Sequence, residues 1–307
     1  MYAVPGQAGR LFVITGANSG LGREATRRLA GAGARVVLAV RAPVKGEQAR
    51  KAILGEFPQA AMEVRRLDLG DLGSVKEFAE GLIADGTPLD VLLSNAGVMT
   101  PPSRLTTADG FELQFGTNFL GHFALTLRLL PLLLAAAAPR VVTVSSMAAR
   151  FGTIRFDDLQ HERGYRPMSA YGQSKLADLL LARQLAEVAT ERGWSLMSNA
   201  AHPGYTRTNL LDAGAALRQP GGRRTLMHTL GKIPHPAQPV QAGTEPLLYA
   251  ATSPDAVNGG YYGPKGLFEI AGPAGTARVP RQARDAGVAE RLWAEAERLT
   301  SVELPSA

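Results

Sequence analysis

The chain has 307 residues, 45% of them hydrophobic and 20% charged, which predicts a globular protein and argues against extended disorder. It contains no cysteine, which excludes disulfides, thiolate metal sites and cysteine nucleophiles. The net charge of +6 would suit nucleic acid, but basic residues such as Arg65 and Arg66 lie in scattered pairs without interleaved aromatic residues, so we predict a solvated basic surface and no nucleic-acid partner.

Short apolar runs alternate with amphipathic stretches along the chain, a pattern typical of βαβ units in a parallel sheet. We place strands at residues 11–14, 35–40, 63–67, 91–94, 140–145 and 194–201. We place helices at residues 22–32, 74–84, 116–134, 170–192 and 288–300. The predicted fold class is therefore α/β, a single doubly wound, Rossmann-type domain over residues 1–307 with a largely parallel sheet.

The N-terminal ten residues lack the charged start, apolar core and cleavage site of a secretory signal, so we expect no export and a cytoplasmic location. The most apolar run, residues 129–139, is shorter than the roughly 20 residues needed to cross a bilayer. We interpret it as a buried helix and expect no membrane span.

The first strand leads directly into the sequence GANSGLG and then into a helix. Glycines let a backbone turn sharply and approach a pyrophosphate, and the helix N-terminus offers unpaired amides. Three glycines at this spacing are weak evidence alone, but their place between strand and helix indicates a dinucleotide-binding loop. We expect cofactor contacts from Gly16, Asn18, Ser19, Gly20, Leu21 and Gly22.

The second strand ends in Val40 and Arg41, where NAD-binding folds usually carry a carboxylate for the ribose hydroxyls. A carboxylate would repel a 2′-phosphate, whereas a guanidinium can bond it in a forked geometry. The pattern favours NADP(H) as the cofactor. The alternative is that Arg41 is simply a solvated strand-end residue.

Tyr171 and Lys175 open a helical stretch, and their spacing of four places the phenol and the ammonium on one face. The ammonium favours the phenolate, so the pair can act as a general acid/base. Tyr261 and Lys265 share this spacing, but Gly263 and Pro264 forbid a helix between them. We therefore assign the acid/base role to Tyr171 and not to Tyr261.

Two further segments contribute to the predicted sheet edge. Ser146 follows the strand at 140–145 and could donate to a substrate oxygen, although a serine at a strand end is usually just a turn residue. Residues 204–240 are rich in glycine and proline, and we interpret them as a loop insertion next to the substrate.

In these motifs and their order the chain resembles the short-chain dehydrogenase/reductase family. The resemblance covers nearly the whole chain and implies an oxidoreductase that moves a hydride between a nicotinamide and a carbonyl or secondary alcohol. It implies a catalytic set of Asn118, Ser146, Tyr171 and Lys175. It also implies that Lys175 and Tyr171 contact the cofactor, and that Asn118 supports a proton relay through water.

The resemblance implies further cofactor contacts beyond the glycine loop and Arg41. These are an adenine contact at Asp68 and Leu69, a strand-end motif at Asn95, Ala96 and Gly97, and a carboxamide-binding segment at Pro203, Gly204, Thr206 and Thr208. Ser94 departs from the two asparagines usual in the strand-end motif.

Within the family the chain is similar to the retinol-dehydrogenase-like branch, on sequences that include NFLGHF and GGYYG. The branch implies NADP(H), a small apolar carbonyl or alcohol substrate and a possible homo-oligomer. His122 and His202 are interpreted as packed or hydrogen-bonded residues without a catalytic role. The alternative function is an NADP-binding sensor or scaffold without catalysis, which would have no need of Ser146, Tyr171 and Lys175 together.

Overall fold

A computed structural model of the chain describes residues 1–206 and 237–304. Most of the segment predicted to be a substrate loop, residues 204–240, therefore lies outside the described residues, as does Thr208. The described residues form one eight-stranded sheet flanked by helices on both faces.

The sheet confirms the predicted α/β fold class. Its strands are β1 Leu11–Thr15, β2 Arg35–Val40, β3 Met62–Arg66, β4 Val91–Ser94, β5 Arg140–Val144, β6 Met197–Ala201, β7 Tyr261–Pro264 and β8 Ala274–Thr276. They lie in the order β3-β2-β1-β4-β5-β6-β7-β8, and every pair is parallel except β7 with β8. The order reverses direction between β1 and β4, which creates the crevice where doubly wound folds bind ligands.

Seven longer helices cover the sheet within the described ranges. They are α1 Gly20–Gly31, α2 Pro43–Glu56, α3 Leu72–Asp85, α4 Gly121–Leu134, α5 Pro167–Glu191, α6 Glu245–Thr252 and α7 Ala286–Thr300. Strand residues alternate between the two covered faces, so that Val13 packs in one apolar cluster while Phe12 and Ile14 pack in the other. Burial on both faces explains why the central strands β1, β2, β4 and β5 are apolar without alternation.

A turn of π-helix, Phe115–Leu120, leads into α4 and places Asn118 within it. Together they form a helical segment of 20 residues that is long and apolar enough to cross a membrane by composition. The uninterrupted apolar run at residues 129–139 therefore includes only the last part of this helical segment. In the structure 78% of its most apolar window is buried inside the protein, mainly against α3 and α5.

Some predicted elements need correction. The strand predicted at 194–201 begins only at Met197, because the Trp194 amide donates to the Ala189 carbonyl (2.8 Å) and closes α5. Helix α2 was not predicted, and it buries only three residues, which leaves little apolar periodicity. Strands β7 and β8 were also missed, since they are only four and three residues long and contain glycine.

Candidate active site

The carboxyl ends of β1, β4, β5 and β6 meet at one edge of the sheet. Thr15, Ser94, Val144 and Ala201 are the last residues of these strands. The glycine loop, the strand-end motif, Ser146 and the turn at 203–206 follow them, so parallel topology brings four predicted segments to the same edge.

The glycine loop folds as the sequence predicts, between β1 and α1. Gly16 has φ +66°, a conformation that L-residues rarely adopt. A Cβ on Gly22 would lie 2.4 Å from the Gly16 carbonyl oxygen and 2.6 Å from Nδ2 of Asn95, so only glycine fits there. The loop thus packs directly against the segment that follows β4.

The N-terminus of α1 has the properties of an anion site. Ser19 occupies the N-cap position without a side-chain capping bond, and the first turn carries no acidic residue. Asp71, by contrast, caps α3 with its side chain. The helix N-terminus offers unpaired backbone amides and the positive end of the helix dipole, and the adjacent loop carries three glycines. These features fit the pyrophosphate of a dinucleotide.

A buried hydrogen-bond network joins the glycine loop to the π-helical turn. The Thr15 hydroxyl accepts from the amides of Asn95 and Ala96, each at 2.8 Å, and lies 2.9 Å from Nε2 of His122. Nδ1 of His122 lies 2.7 Å from the Asn118 carbonyl oxygen, which can only accept. Nδ1 therefore carries the proton, and Nε2 accepts from Thr15. Burial lowers the pKa of His122 to about 4.

Asn118 uses its whole side chain in hydrogen bonds. Its amide nitrogen donates to the Val98 carbonyl (3.0 Å) and to Oγ of Ser174 (2.9 Å), and its oxygen accepts from the Val98 amide (2.7 Å). These bonds tie the π-helical turn to the segment after β4 and to α5. The predicted contribution of Asn118 to a water relay stays a prediction.

Tyr171 and Lys175 both lie on α5, one turn apart, as the spacing predicted. Both are buried, and the ammonium lies 3.7 Å from the position that a Cβ on Gly97 would occupy. Lys175 thus faces the strand-end motif. Tyr261 lies on β7 and Lys265 beyond its end, so the structure separates them as predicted, and burial raises the pKa of the Tyr261 hydroxyl.

Lys175 has a partner that the sequence analysis missed. Its Nζ donates to the Val144 carbonyl (2.9 Å) and to Oδ2 of Asp178 (2.8 Å), which lies one turn further along α5. Burial opposes the charge of Lys175, but the charges of Asp178 and Tyr171 outweigh it and raise the pKa of the ammonium. For Asp178 burial has the larger effect and raises its pKa to about 6.

Ser146 is half-buried, two residues beyond the end of β5, and caps a short 3₁₀ turn, accepting from the Ala148 amide at 3.2 Å. Its hydroxyl proton has no acceptor among the described residues. Ser145 differs, because its hydroxyl donates to the Lys175 carbonyl at 2.7 Å and is buried. Of the two serines, the structure therefore leaves Ser146 at the site.

The predicted adenosine contacts lie at the other side of the crevice. Arg41 is exposed just beyond β2, whereas Val40 is buried. The Asp68 carboxylate accepts from the Gly70 amide at 3.0 Å after β3, and Leu69 is buried.

The turn at 203–206 is stabilised by a hydrogen bond within the turn and, through His202, by Glu269 in the C-terminal part of the chain. The hydroxyl of Thr206 donates to the Pro203 carbonyl at 2.6 Å. The Gly204 amide donates to Nδ1 of His202 (3.2 Å), so Nε2 of His202 carries the proton and donates to Glu269 (3.0 Å). Burial lowers the pKa of His202 despite this carboxylate.

Glu269 also pairs with Arg150, which lies in the turn after Ser146, and accepts from the Arg278 amide at 2.9 Å. Although burial opposes it, hydrogen bonds from His202 and this amide lower the pKa of Glu269. Glu269 has φ +59° and Phe268 has φ +53°, an unfavourable pair of conformations that such contacts must hold.

Three site residues were therefore missed by sequence reasoning. Asp178 could have been found, because it lies three residues after Lys175 on a predicted helix and shares its face. Thr15 was visible only as part of the glycine-loop motif. Glu269 gave no local signal, since its side-chain partners His202 and Arg150 are more than 60 positions away.

Comparisons with known proteins agree with this geometry. The family of short chain dehydrogenases matches residues 10–216. The chain is 41% identical to polyprenol dehydrogenase of Mus musculus, covering 97% of this chain and 85% of that protein. It is 40% identical to retinol dehydrogenase 13 of Homo sapiens, covering 97% and 86% respectively.

Solved structures give the same result. An uncharacterized protein from Mycobacterium paratuberculosis is 42% identical with a TM-score of 0.79, covering 99% of this chain and 97% of that one. A short chain dehydrogenase from Escherichia coli CFT073, solved in complex with NADPH, is 25% identical with a TM-score of 0.60, covering 83% and 96%. The chain therefore belongs to the short chain dehydrogenase family and is a nicotinamide-dependent oxidoreductase.

Proposed function

We propose that this enzyme uses NADP(H) to transfer a hydride to or from an apolar carbonyl or secondary alcohol. The observation that carries the proposal is the position of the Tyr171 and Lys175 pair. It lies on the buried face of α5, at the same sheet edge as Ser146 and the glycine loop. An acid/base, an oxygen-binding hydroxyl and an anion site thus surround one crevice.

Bound NADPH would supply the hydride in the reductive direction. Tyr171 donates its proton to the carbonyl oxygen as that oxygen gains negative charge. The free hydroxyl proton of Ser146 bonds the same oxygen. Lys175 stabilises the phenolate that is left behind, since Val144 and Asp178 accept two of its three protons and the third has no acceptor among the described residues. Asn118 holds Val98 and Ser174 in place around this centre.

The preference for NADP(H) is supported by the end of β2. Val40 is buried where a ribose-binding carboxylate would lie, and the exposed Arg41 follows it. The related Escherichia coli protein was solved with NADPH. The remaining cofactor contacts that we propose are those of the glycine loop, Asp68 and Leu69, residues 95–97, and the turn at 203–206.

The apolar substrate class is supported by relatives whose names specify retinol and polyprenol. A panel of retinoids, a short polyprenal, aromatic ketones and simple polar ketones should be assayed by cofactor consumption with NADPH and NADH. We expect turnover of the apolar carbonyls with NADPH. Tight NADPH binding without turnover of any carbonyl or alcohol would instead indicate a sensor or scaffold.

A further inference from the structure

The ion pair between Lys175 and Asp178 differs from the other pairs at i,i+3 spacing in the described helices. Both side chains are nearly inaccessible, at 6% and 1% exposed, whereas Glu295 and Arg298 in α7 form such a pair at 33% and 68% exposed. Exposed pairs contribute little because water screens them, but a buried charge without a partner is strongly unfavourable.

The surroundings of the Lys175 ammonium contain no second carboxylate among the described residues. On its own helix it faces Asp178 and the hydroxyl of Tyr171. From β5 it meets the Val144 carbonyl, and from α4 the charge interaction with His122 is unfavourable to protonation of that histidine. Asp178 therefore supplies the only carboxylate in these surroundings.

The Asp178 carboxylate uses only one of its two oxygens in hydrogen bonds among the described residues. Its Oδ1 is buried without a hydrogen-bond partner among the described residues, while Oδ2 bonds Lys175. A carboxylate placed only to cap or brace a helix would be expected to use both oxygens, since an unpaired buried oxygen is unfavourable. The geometry thus places this charge specifically against Lys175.

We propose that Asp178 is a positioning residue that keeps Lys175 charged and fixed at the carboxyl end of β5. The inference rests on the proposed function, in which the Lys175 ammonium supports Tyr171. Asp178 acts through Lys175 and does not touch the substrate. Without the carboxylate, Lys175 would be a buried cation held only by the Val144 carbonyl, and it would lose its proton more readily as the pH rises.

The test is Asp178→Asn, which keeps an oxygen acceptor of the same size and removes the charge. The ratio of kcat/KM between variant and wild type should be measured across the pH range with a substrate that the wild type turns over. We expect this ratio to fall as the pH rises, by about tenfold between about pH 6.5 and pH 9, because one pKa unit corresponds to a tenfold change in the proton equilibrium. A ratio that does not vary with pH would overturn the proposal and leave a purely structural ion pair.

Glu295→Gln provides the matched control, because it removes a carboxylate from an exposed i,i+3 pair and should leave the pH profile unchanged. If Asp178→Asn does not fold, the ¹⁵N signal of the Lys175 ammonium in the wild type decides, identified by its absence in Lys175→Met. The signal should remain that of an ammonium up to at least about pH 10, and titration below about pH 9 would overturn the proposal. Absence of any wild-type turnover would refute the proposed function instead, and the NMR titration would still test the ion pair.

Discussion

The hydroxyl of Thr15 and Nε2 of His122 lie 2.9 Å apart, and this bond fixes the direction of a whole network. Thr15 already accepts two amide protons from the segment after β4, so its own proton goes to the imidazole. The imidazole then donates to the Asn118 carbonyl from its other nitrogen. A neutral His122 satisfies this arrangement, whereas an imidazolium would present a third N–H donor to the Thr15 oxygen, which already accepts from two amides.

The first prediction is that His122 makes folding stability depend on pH. Its pKa is about 4 in the folded protein and 6.5 in the reference state, so the unfolded chain takes up a proton that the folded chain rejects. The contribution of neutral His122 to the free energy of unfolding is therefore fully present above about pH 6.5. It decreases toward pH 4, by about 1.4 kcal/mol per pH unit.

Chemical denaturation of the wild type and of His122→Leu at several pH values checks this prediction. The wild-type free energy of unfolding minus that of the variant should decrease as the pH falls, while Asp178 and other groups contribute equally to both proteins. At neutral pH the variant should be less stable by about 1–3 kcal/mol, because the Thr15 hydroxyl and the Asn118 carbonyl lose their partner. Parallel pH dependences would show that folding does not lower the pKa of His122.

The second prediction concerns the acid/base. Tyr171→Phe removes one hydroxyl and keeps the ring, so kcat should fall by about 10²–10⁴-fold while the Kd for NADPH stays within a few-fold. Steady-state kinetics and fluorescence titration measure the two effects. More than a tenth of wild-type turnover in a folded variant would contradict the mechanism.

Tyr261→Phe is the matched control, because Tyr261 is also buried but lies on β7 and not on the helix that carries Lys175. We expect nearly unchanged turnover and a change in stability of no more than about 1 kcal/mol, the usual contribution of one hydrogen bond. A catalytic loss equal to that of Tyr171→Phe would mean that the acid/base was assigned to the wrong tyrosine.

These contrasts show which parts of the molecule the sequence could predict. The central strands β1, β2, β4 and β5 were predictable because burial on both faces requires apolar runs, and Tyr171 and Lys175 because helical spacing brings them together. The same helical spacing could have identified Asp178, which lies three residues after Lys175. The π-helical turn around Asn118 and the contact of Glu269 with His202 depend on tertiary packing, which leaves no local pattern.

The third prediction is a cofactor preference. A charge-assisted contact to the 2′-phosphate contributes about 1.5–3 kcal/mol, so kcat/KM should favour NADPH over NADH by roughly ten- to a hundredfold. The preference should decrease in Arg41→Ala and decrease further when Val40→Asp is added, because the carboxylate repels the phosphate. If Arg41→Ala leaves the NADPH to NADH ratio unchanged, Arg41 is only a solvated residue.

The fourth prediction is that Gly22→Ala weakens NADPH binding by at least about tenfold, which corresponds to about 1.4 kcal/mol. The added Cβ would lie 2.4 Å from the Gly16 carbonyl oxygen, so the loop must shift. Gly55→Ala in α2 is the control, since its Cβ would meet nothing within 4 Å. Calorimetric titration should show unchanged binding for this control, and its stability should rise by about 0.4–1 kcal/mol. Equal affinities for the two variants would exclude close packing of the loop as a requirement for binding.

The contacts of Glu269 have a consequence for synthesis of the chain. Residues 10–216 contain Ser146, Tyr171, Lys175 and the glycine loop, yet the turn at 203–206 and the turn after Ser146 are both held by a carboxylate more than 50 positions further on. When every candidate catalytic residue has left the ribosome, Glu269 has not. The turn at 203–206 and the turn after Ser146 therefore still lack the carboxylate that holds them. Activity should appear only when the segment around β7 and β8 has emerged, so incomplete chains would be inactive although their reacting groups are present.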